Sequence, residues 1–197
     1  MTDILIGSDE VGYGAWAGPL YVCAVAQSKS YLGPPGLTDS KKLSIEQRAF
    51  LYPELQNLPC ALISMSNEYI DRVGVKRALL EAHTTAVRMM LKRFPGADVI
   101  VDGVLQLPDI PKARAVPKAD ALFPVVSAAS NIAKFNRDWY MVEQHKLYPD
   151  YGFDTGVGYG TKKHEEGLER LGPCPLHRRS YAPIKKYIHL KENRHAD

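Results

Sequence analysis

Apolar and polar positions along this chain fall into blocks whose spacing shifts between strand-like and helix-like. Ile4–Gly7 is a short apolar run that predicts a first strand, and Leu20–Ala26, rich in strand-favouring residues, predicts a second. Leu32–Leu37 reads as a turn-rich loop. Beyond it, Ser44 and Gln47 have capping-box spacing and open a helix that Pro53 should limit. Ala61–Met65 has the composition of a third strand. From Val75 to Arg93 the apolar positions Leu79, Leu80, Ala86, Val87, Met90 and Leu91 recur at helical spacing, and Pro95-Gly96 ends that helix. Val99–Val101 is a short apolar strand that stops at Asp102-Gly103, and Ala113–Val116 is a further candidate. Pro124–His145 predicts a long helix carrying the small-residue run Ser127-Ala128-Ala129-Ser130. Thr161–Leu171 predicts another helix, stopped by Gly172-Pro173. Strands followed by strands interleaved with helices imply an α/β fold with a mixed central sheet.

Composition narrows the class. Of 197 residues, 45% are hydrophobic and 24% charged, which excludes a long disordered or fibrous chain. A chain of this length buries roughly 70% of its unfolded surface, enough for one sizeable core. No internal repeat or low-complexity segment is present. The expected organisation is a body over 1–150 with a basic helical segment over 151–197 packed on it as a single unit. Cys23, Cys60 and Cys174 are odd in number, widely spaced and without a CxxC pair, so a disulfide framework or structural zinc site is not expected. Buried thiols in a reducing compartment are. The opening MTDILIGSDE is acidic where a signal peptide would be basic, and the longest nearly apolar run, Ala15–Ala26, has 12 residues, too few to span a bilayer. The expectation is a soluble, cytoplasmic protein with no membrane partner.

The net charge of +3 is uneven: residues 162–197 hold nine Lys/Arg against five Asp/Glu, while the rest of the chain is close to neutral. A basic end on a neutral body points to an anionic polymer.

Several acidic residues stand where solvated carboxylates are unusual. Asp9 and Glu10 follow the first apolar strand, Asp102 closes the strand Val99–Val101, and Asp120 lies just ahead of the small-residue helix. Carboxylates at the ends of adjacent strands can converge, and converging like charges require a cation. Hard oxygen ligands favour magnesium or manganese, and two such ions can serve a phosphodiester displacement. Spacing alone leaves Asp39, Asp71, Asp98, Asp109 and Asp138 in competition for the same role.

With their neighbours these acids form a larger pattern. Asp9-Glu10-Val11-Gly12-Tyr13-Gly14-Ala15-Trp16-Ala17-Gly18-Pro19 resembles the opening motif of type 2 ribonucleases H, bacterial ribonuclease HII in particular. So do Asp39-Ser40-Lys41-Lys42-Leu43-Ser44 and Val101-Asp102-Gly103. Further matches run from Lys118-Ala119-Asp120 through Ser127–Ser130 to Ala133-Lys134 and Arg137-Asp138. Tyr148-Pro149, Gly158-Tyr159-Gly160-Thr161 and His177-Arg178-Arg179-Ser180 complete an ordered set spanning nearly the whole chain.

The resemblance implies a ribonuclease H-like α/β fold with a C-terminal helical segment. It implies endonucleolytic hydrolysis of RNA in RNA–DNA hybrids and at ribonucleotides embedded in duplex DNA, leaving 3′-hydroxyl and 5′-phosphate ends. Its metal-binding quartet maps onto Asp9, Glu10, Asp102 and Asp120, holding two Mg2+ or Mn2+ ions. Gly12 and Gly14 match glycines that read the 2′-hydroxyl through the main chain, and Tyr159 matches a tyrosine that packs on the sugar. Lys41 and Lys42 resemble a phosphate-contacting loop; Lys134, Arg137, Arg178 and Arg179 are further candidate substrate contacts. Lys185, Lys186, Lys191 and Arg194 are unmatched basic residues. Two departures stand out: the family's arginine in the glycine turn is Tyr13, and the lysine before Gly158 is Val157. Both remove positive charge, and weaker cleavage at single embedded ribonucleotides is the expected consequence. A non-cleaving hybrid-binding homologue and another metal nuclease of the same fold are the alternatives. The related ribonuclease HIII is disfavoured by the lack of its long N-terminal extension. A monomer without an obligate protein partner, and without a clamp-binding tail, is expected.

Overall fold

In the computed structural model, which describes residues 3–193 and side chains as far as Ile188, β1 spans Ile4–Val11. It is longer than the apolar run predicts. Asp9 and Glu10 are strand residues, because β2 (Leu20–Ser28) pairs antiparallel with β1 up to Val11↔Tyr21. Main-chain pairing here outruns the apolar side chains that mark a strand in the sequence. β3 (Cys60–Met65), β4 (Asp98–Asp102) and β5 (Ala113–Val116) complete a five-stranded mixed sheet of order β3-β2-β1-β4-β5. β4 runs parallel to β1, and β5 runs parallel to β4. The expected α/β fold with a mixed sheet and flanking helices is present.

α1 (Ile45–Leu55) opens with the expected capping box: the Gln47 N–H donates to Ser44 Oγ, and the Ser44 N–H donates to Gln47 Oε1 at 2.8 Å. Pro53 lies inside α1 rather than ending it. α2 (Asn67–Val73), too short to show a periodic stripe, was not legible in the pattern; Ser66 caps it by accepting from the Tyr69 N–H. α3 spans Val75–Arg93 as predicted. The short α4 (Ala119–Leu122) carries Asp120, and α5 covers Pro124–His145. After them come α6 (Phe153–Gly156), α7 (Lys162–Leu171, capped by Thr161) and α8 (Ala182–Asn193).

Two compact units interleave along the chain. The first comprises Met1–Val11, Tyr21–Ser64 and Leu79–Asn136; the second comprises Gly12–Leu20, Met65–Ala78 and Arg137–Asp197. The first contains the sheet, and its core joins Cys23, Val25 and Ile100 to Leu51 and Leu55 of α1 and to Val125, Ala128, Ala129 and Ile132 of α5. The small residues of α5 have a reason in β1. A Cβ on Gly7 would lie 2.7 Å from the Val126 main-chain nitrogen, so strand and helix approach too closely for a side chain there. The second unit has its own core, built from Ala17, Met141, Tyr151, Phe153, Leu168, Leu176, Ile184 and Tyr187. Among the described residues no helix is long and apolar enough to cross a membrane. The side chain of Lys191 and all of Arg194 lie outside the described residues.

Candidate active site

The first unit holds all four acids of the expected quartet. Asp9 and Glu10 are consecutive on β1, so their side chains leave opposite faces of the sheet. Asp102 ends β4, the strand beside β1, and Asp120 lies in α4. One hydrogen bond ties the last two elements together: the Ala119 N–H donates to Asp102 Oδ1 at 2.6 Å.

These carboxylates act on one another electrostatically. Burial, followed by the charges of Glu10 and Asp102, pushes the Asp9 carboxyl well above the usual range, against a hydrogen bond from Ser130. Burial and then the charges of Asp102 and Asp39 raise Asp120 as well. Asp102 thus acts on both Asp9 and Asp120. For Glu10, burial pulls upward, but the neighbouring His83 imidazole and then the charge of Lys41 outweigh it, and its carboxyl is lowered.

Lys41 belongs to this group. Burial opposes its charge, while Asp9, Asp120, Asp39 and Asp102 together raise it. The turn that carries Lys41 and Lys42 is anchored from below. Asp39 Oδ1 accepts from the Lys41 N–H at 2.9 Å, and the hydroxyls of Ser40 and Ser130 are 2.9 Å apart. Arg48 Nη1 donates to the main-chain oxygens of Ser40 and Leu43 at 2.9 and 2.6 Å. Lys42 is exposed, and Lys134 on α5 is half-buried.

This donor set suits a hard divalent cation: the donors are carboxylate oxygens, and Asp9 is buried beside the charges of Glu10 and Asp102. As the side chains stand, no three His, Cys, Asp or Glu among the described residues form a finished cage.

The second unit holds the other candidates. Gly12, Tyr13 and Gly14 form a turn that starts one residue after β1. Gly12 has φ +91°, and a Cβ there would lie 2.2 Å from Arg137 Nε, so only glycine fits. Gly14 is different: it lacks a positive φ, and nothing stands within 4 Å of where its Cβ would be. The Tyr13 side chain is 37% exposed. Its carbonyl oxygen accepts from Arg178 Nη1 at 3.0 Å and from the Tyr181 hydroxyl at 2.7 Å.

Arg137 and Arg178 are fully buried, not residues of a solvated face. Arg137 donates to the main-chain oxygens of Pro19, Val157 and Ala17 at 2.9, 2.9 and 3.1 Å, and its guanidinium lies 5.3 Å from the centre of the half-buried Tyr159 ring. Lys134, three residues earlier on α5, is half-buried where Arg137 is fully buried. Arg178 donates to Gly18 O at 3.0 Å besides Tyr13 O. Arg179 is exposed, and its N–H donates to Asp71 at 2.8 Å. Val157 occupies the left-handed region at φ 39°, a strained conformation for a β-branched side chain.

Sequence reasoning missed the buried histidines. His83 sits between Leu79, Leu80, Ala86 and Val87 on the apolar stripe of α3, and that position was its one available signal. In the second unit His164 and His177 face each other, Nε2 to Nε2 at 2.9 Å.

The mixed sheet with its flanking helices defines a class, the ribonuclease H-like α/β fold. The ribonuclease H2 of Pyrococcus horikoshii OT3 superposes with TM-score 0.78 at 24% identity, over 96% of this chain and 99% of that one. Bst-RNase HIII in complex with Mn2+ superposes with TM-score 0.74 at 22% identity, over 96% of this chain and 70% of that one. Both likenesses concern the fold. The sequence comparison goes further. The family model described as Ribonuclease HII matches residues 6–184, and ribonuclease HII of Dichelobacter nodosus is 43% identical over 196 residues, covering 97% of this chain and 100% of that protein. The chain belongs to the ribonuclease HII family, and it is a type 2 ribonuclease H, a metal-dependent hydrolase.

Proposed function

We propose that this protein is an endonuclease that cuts the RNA strand of RNA–DNA hybrids and also cuts at ribonucleotides embedded in duplex DNA. Asp9, Glu10, Asp102 and Asp120 would hold two divalent ions, Mg2+ or Mn2+. The observation that carries this reading is the mutual influence of the acids: the charge of Asp102 raises both Asp9 and Asp120, residues from separate elements. Such a group is costly to assemble without a cation. When bound, the ions would supply an activated water and charge stabilisation at the leaving 3′-oxygen, giving 3′-hydroxyl and 5′-phosphate ends.

The chain's own residues do the holding and reading. The four acids fix where the cations sit. Open space beside Gly14 leaves room for a sugar to approach the main chain, and the 2′-hydroxyl is the group that separates RNA from DNA. Tyr159, backed by Arg137, offers a ring against the sugar. Lys41, Lys42, Lys134 and Arg179 offer positive charge to the backbone, whereas Arg137 and Arg178 serve the substrate indirectly by holding the turn and Tyr159 in place. Tyr13 offers a phenol where an arginine would grip a phosphate, and Val157 offers no charge at all; weaker cleavage at single ribonucleotides follows. The free thiols of Cys23, Cys60 and Cys174 accord with action in the cytoplasm.

The test uses labelled substrates with Mg2+ or Mn2+: a long hybrid, a duplex with one embedded ribonucleotide, and an all-DNA duplex. Metal-dependent cutting of the first two, with none of the third, is expected. Cutting of all-DNA duplex would point instead to another nuclease of this fold, and absence of cutting with retained binding would point to a hybrid-binding protein.

A further inference from the structure

Ser8 and Glu10 lie on the same face of β1, two residues apart, and the side chain that covers them from α3 is His83. His83 is fully buried. Its Nδ1 is 2.8 Å from Ser8 Oγ, and its Nε2 is 3.6 Å from Glu10 Oε2. Nε2 makes no hydrogen bond, and Glu10 is the carboxylate it faces. A buried ring nitrogen left without a partner is costly, so this arrangement needs a purpose or a small rearrangement.

The Ser8 hydroxyl reaches both His83 Nδ1 and the main-chain oxygen of Cys23, 3.1 Å away, and its one proton serves one of them at a time. Turned to Nδ1, it leaves the ring proton on Nε2, directed at Glu10. A lone pair on Nε2 would face the carboxylate's negative charge, so the Nε2–H tautomer is the one the pair favours. A modest rotation of Glu10 closes 3.6 Å to hydrogen-bond distance. One carboxylate oxygen is then held and the other stays free.

Holding matters because of the strand's pleat. Asp9 leaves the opposite face of β1, toward Ser130 of α5, while Glu10 leaves toward α3. Left to itself, a half-exposed glutamate with three rotatable bonds samples many positions, few of which meet Asp9 beyond the strand end. We propose that His83, set by Ser8, is a positioning residue that orients Glu10 as a ligand for a divalent cation. This rests on the reading of Glu10 as a ligand given above.

Removing a group that orients a metal-binding carboxylate typically costs about 10- to 100-fold in metal affinity. The probe is Mn2+ alone, with its dissociation constant measured by electron paramagnetic resonance of the free ion. His83→Leu is expected to weaken Mn2+ binding by about 10-fold or more while KM for a long hybrid stays unchanged. His83→Gln, which keeps an N–H donor at similar reach, should restore most of the affinity, and a purely space-filling role would predict the reverse order of the two variants. Ser8→Ala, a smaller change, should weaken Mn2+ binding in the same direction, and it decides the matter alone if His83→Leu does not fold. Wild-type affinity in Ser8→Ala and His83→Leu would overturn the proposal. Glu10→Gln separates the two ideas: if it weakens Mn2+ binding and the His83 and Ser8 variants do not, only the positioning role fails. If Glu10→Gln leaves binding unchanged, Glu10 is not a ligand and both fail.

Discussion

The carboxylate of Asp102 accepts a hydrogen bond from the Ala119 N–H at 2.6 Å, so the end of β4 fixes the start of the helical turn that carries Asp120. The same carboxylate therefore has two duties, one structural and one electrostatic. Asp102→Asn keeps an acceptor oxygen for Ala119 but removes the charge that raises Asp9 and Asp120. Folding should survive, with an unchanged or slightly raised melting temperature, while Mg2+-dependent cleavage falls by orders of magnitude. Near-normal turnover in Asp102→Asn would remove Asp102 from the metal site.

The two glycines of the turn after β1 should respond oppositely to alanine. At Gly12 the positive φ and the crowding by Arg137 oppose any Cβ, and the left-handed backbone alone costs about 1–2 kcal/mol. Gly12→Ala is expected to lower the unfolding free energy measurably. Gly14→Ala meets no protein atom, so stability should be unchanged; a loss of cleavage there would report an approaching substrate. Full activity in a normally folded Gly14→Ala would rule out main-chain reading at that position.

Arg137 tests the division between binding and architecture. Lysine keeps the charge but lacks the planar fork that spans Pro19, Ala17 and Val157. With buried carbonyls losing their donors at about 1–3 kcal/mol each, Arg137→Lys should markedly lower the denaturation midpoint. A variant with wild-type stability would show that these bonds are dispensable.

Acid should weaken the second unit through its histidine pair. The Cys174 N–H donates to His177 Nδ1 at 2.9 Å, so the neutral ring of His177 carries its proton on Nε2, toward His164 Nε2. His164 then donates from Nδ1 to the Tyr159 carbonyl oxygen at 2.9 Å. Burial, then the charge of His164, lowers His177 to about 3, and burial lowers His164 too. Both folded values lie below the unfolded value of about 6.5, so their stabilisation is complete above that pH and is lost as pH falls from there toward the folded values. Each contributes a slope of at most about 1.4 kcal/mol per pH unit. The raised Asp9 and Asp120 work in the opposite sense, so the urea midpoint is best followed in the Asp9→Asn, Asp120→Asn double variant. A midpoint that stays flat between about pH 7 and about pH 5 would contradict the neutral pair.

Tyr13 is the substitution with a direct bearing on substrate choice. Its side chain is partly exposed, while its main-chain oxygen is held by Arg178 and Tyr181. Tyr13→Arg should therefore leave the turn intact and add a phosphate-gripping group. The expected result is a higher ratio of single-ribonucleotide to long-hybrid cleavage. An unchanged ratio would take Tyr13 out of the account of specificity.

Local chemistry makes much of this protein legible in its sequence. The Ser44–Gln47 capping box, the helix over Val75–Arg93 and the stop at Gly172 depend on neighbours within a few residues, and they stand where the pattern puts them. The motif blocks brought the quartet and the glycine turn forward from a crowd of competing acids. Other features were decided by residues far apart in the chain. β1 extends through Asp9 and Glu10 because β2 pairs with it. Arg137 is buried because carbonyls more than a hundred residues earlier close over it. His83 meets Ser8 across 75 positions, and His164 meets His177 across a helix end. Periodicity records which face of an element is apolar, but it carries no information about which polar group arrives from another element to satisfy a buried donor. Only the packed structure makes those pairs, because only packing removes the water that would otherwise serve in their place.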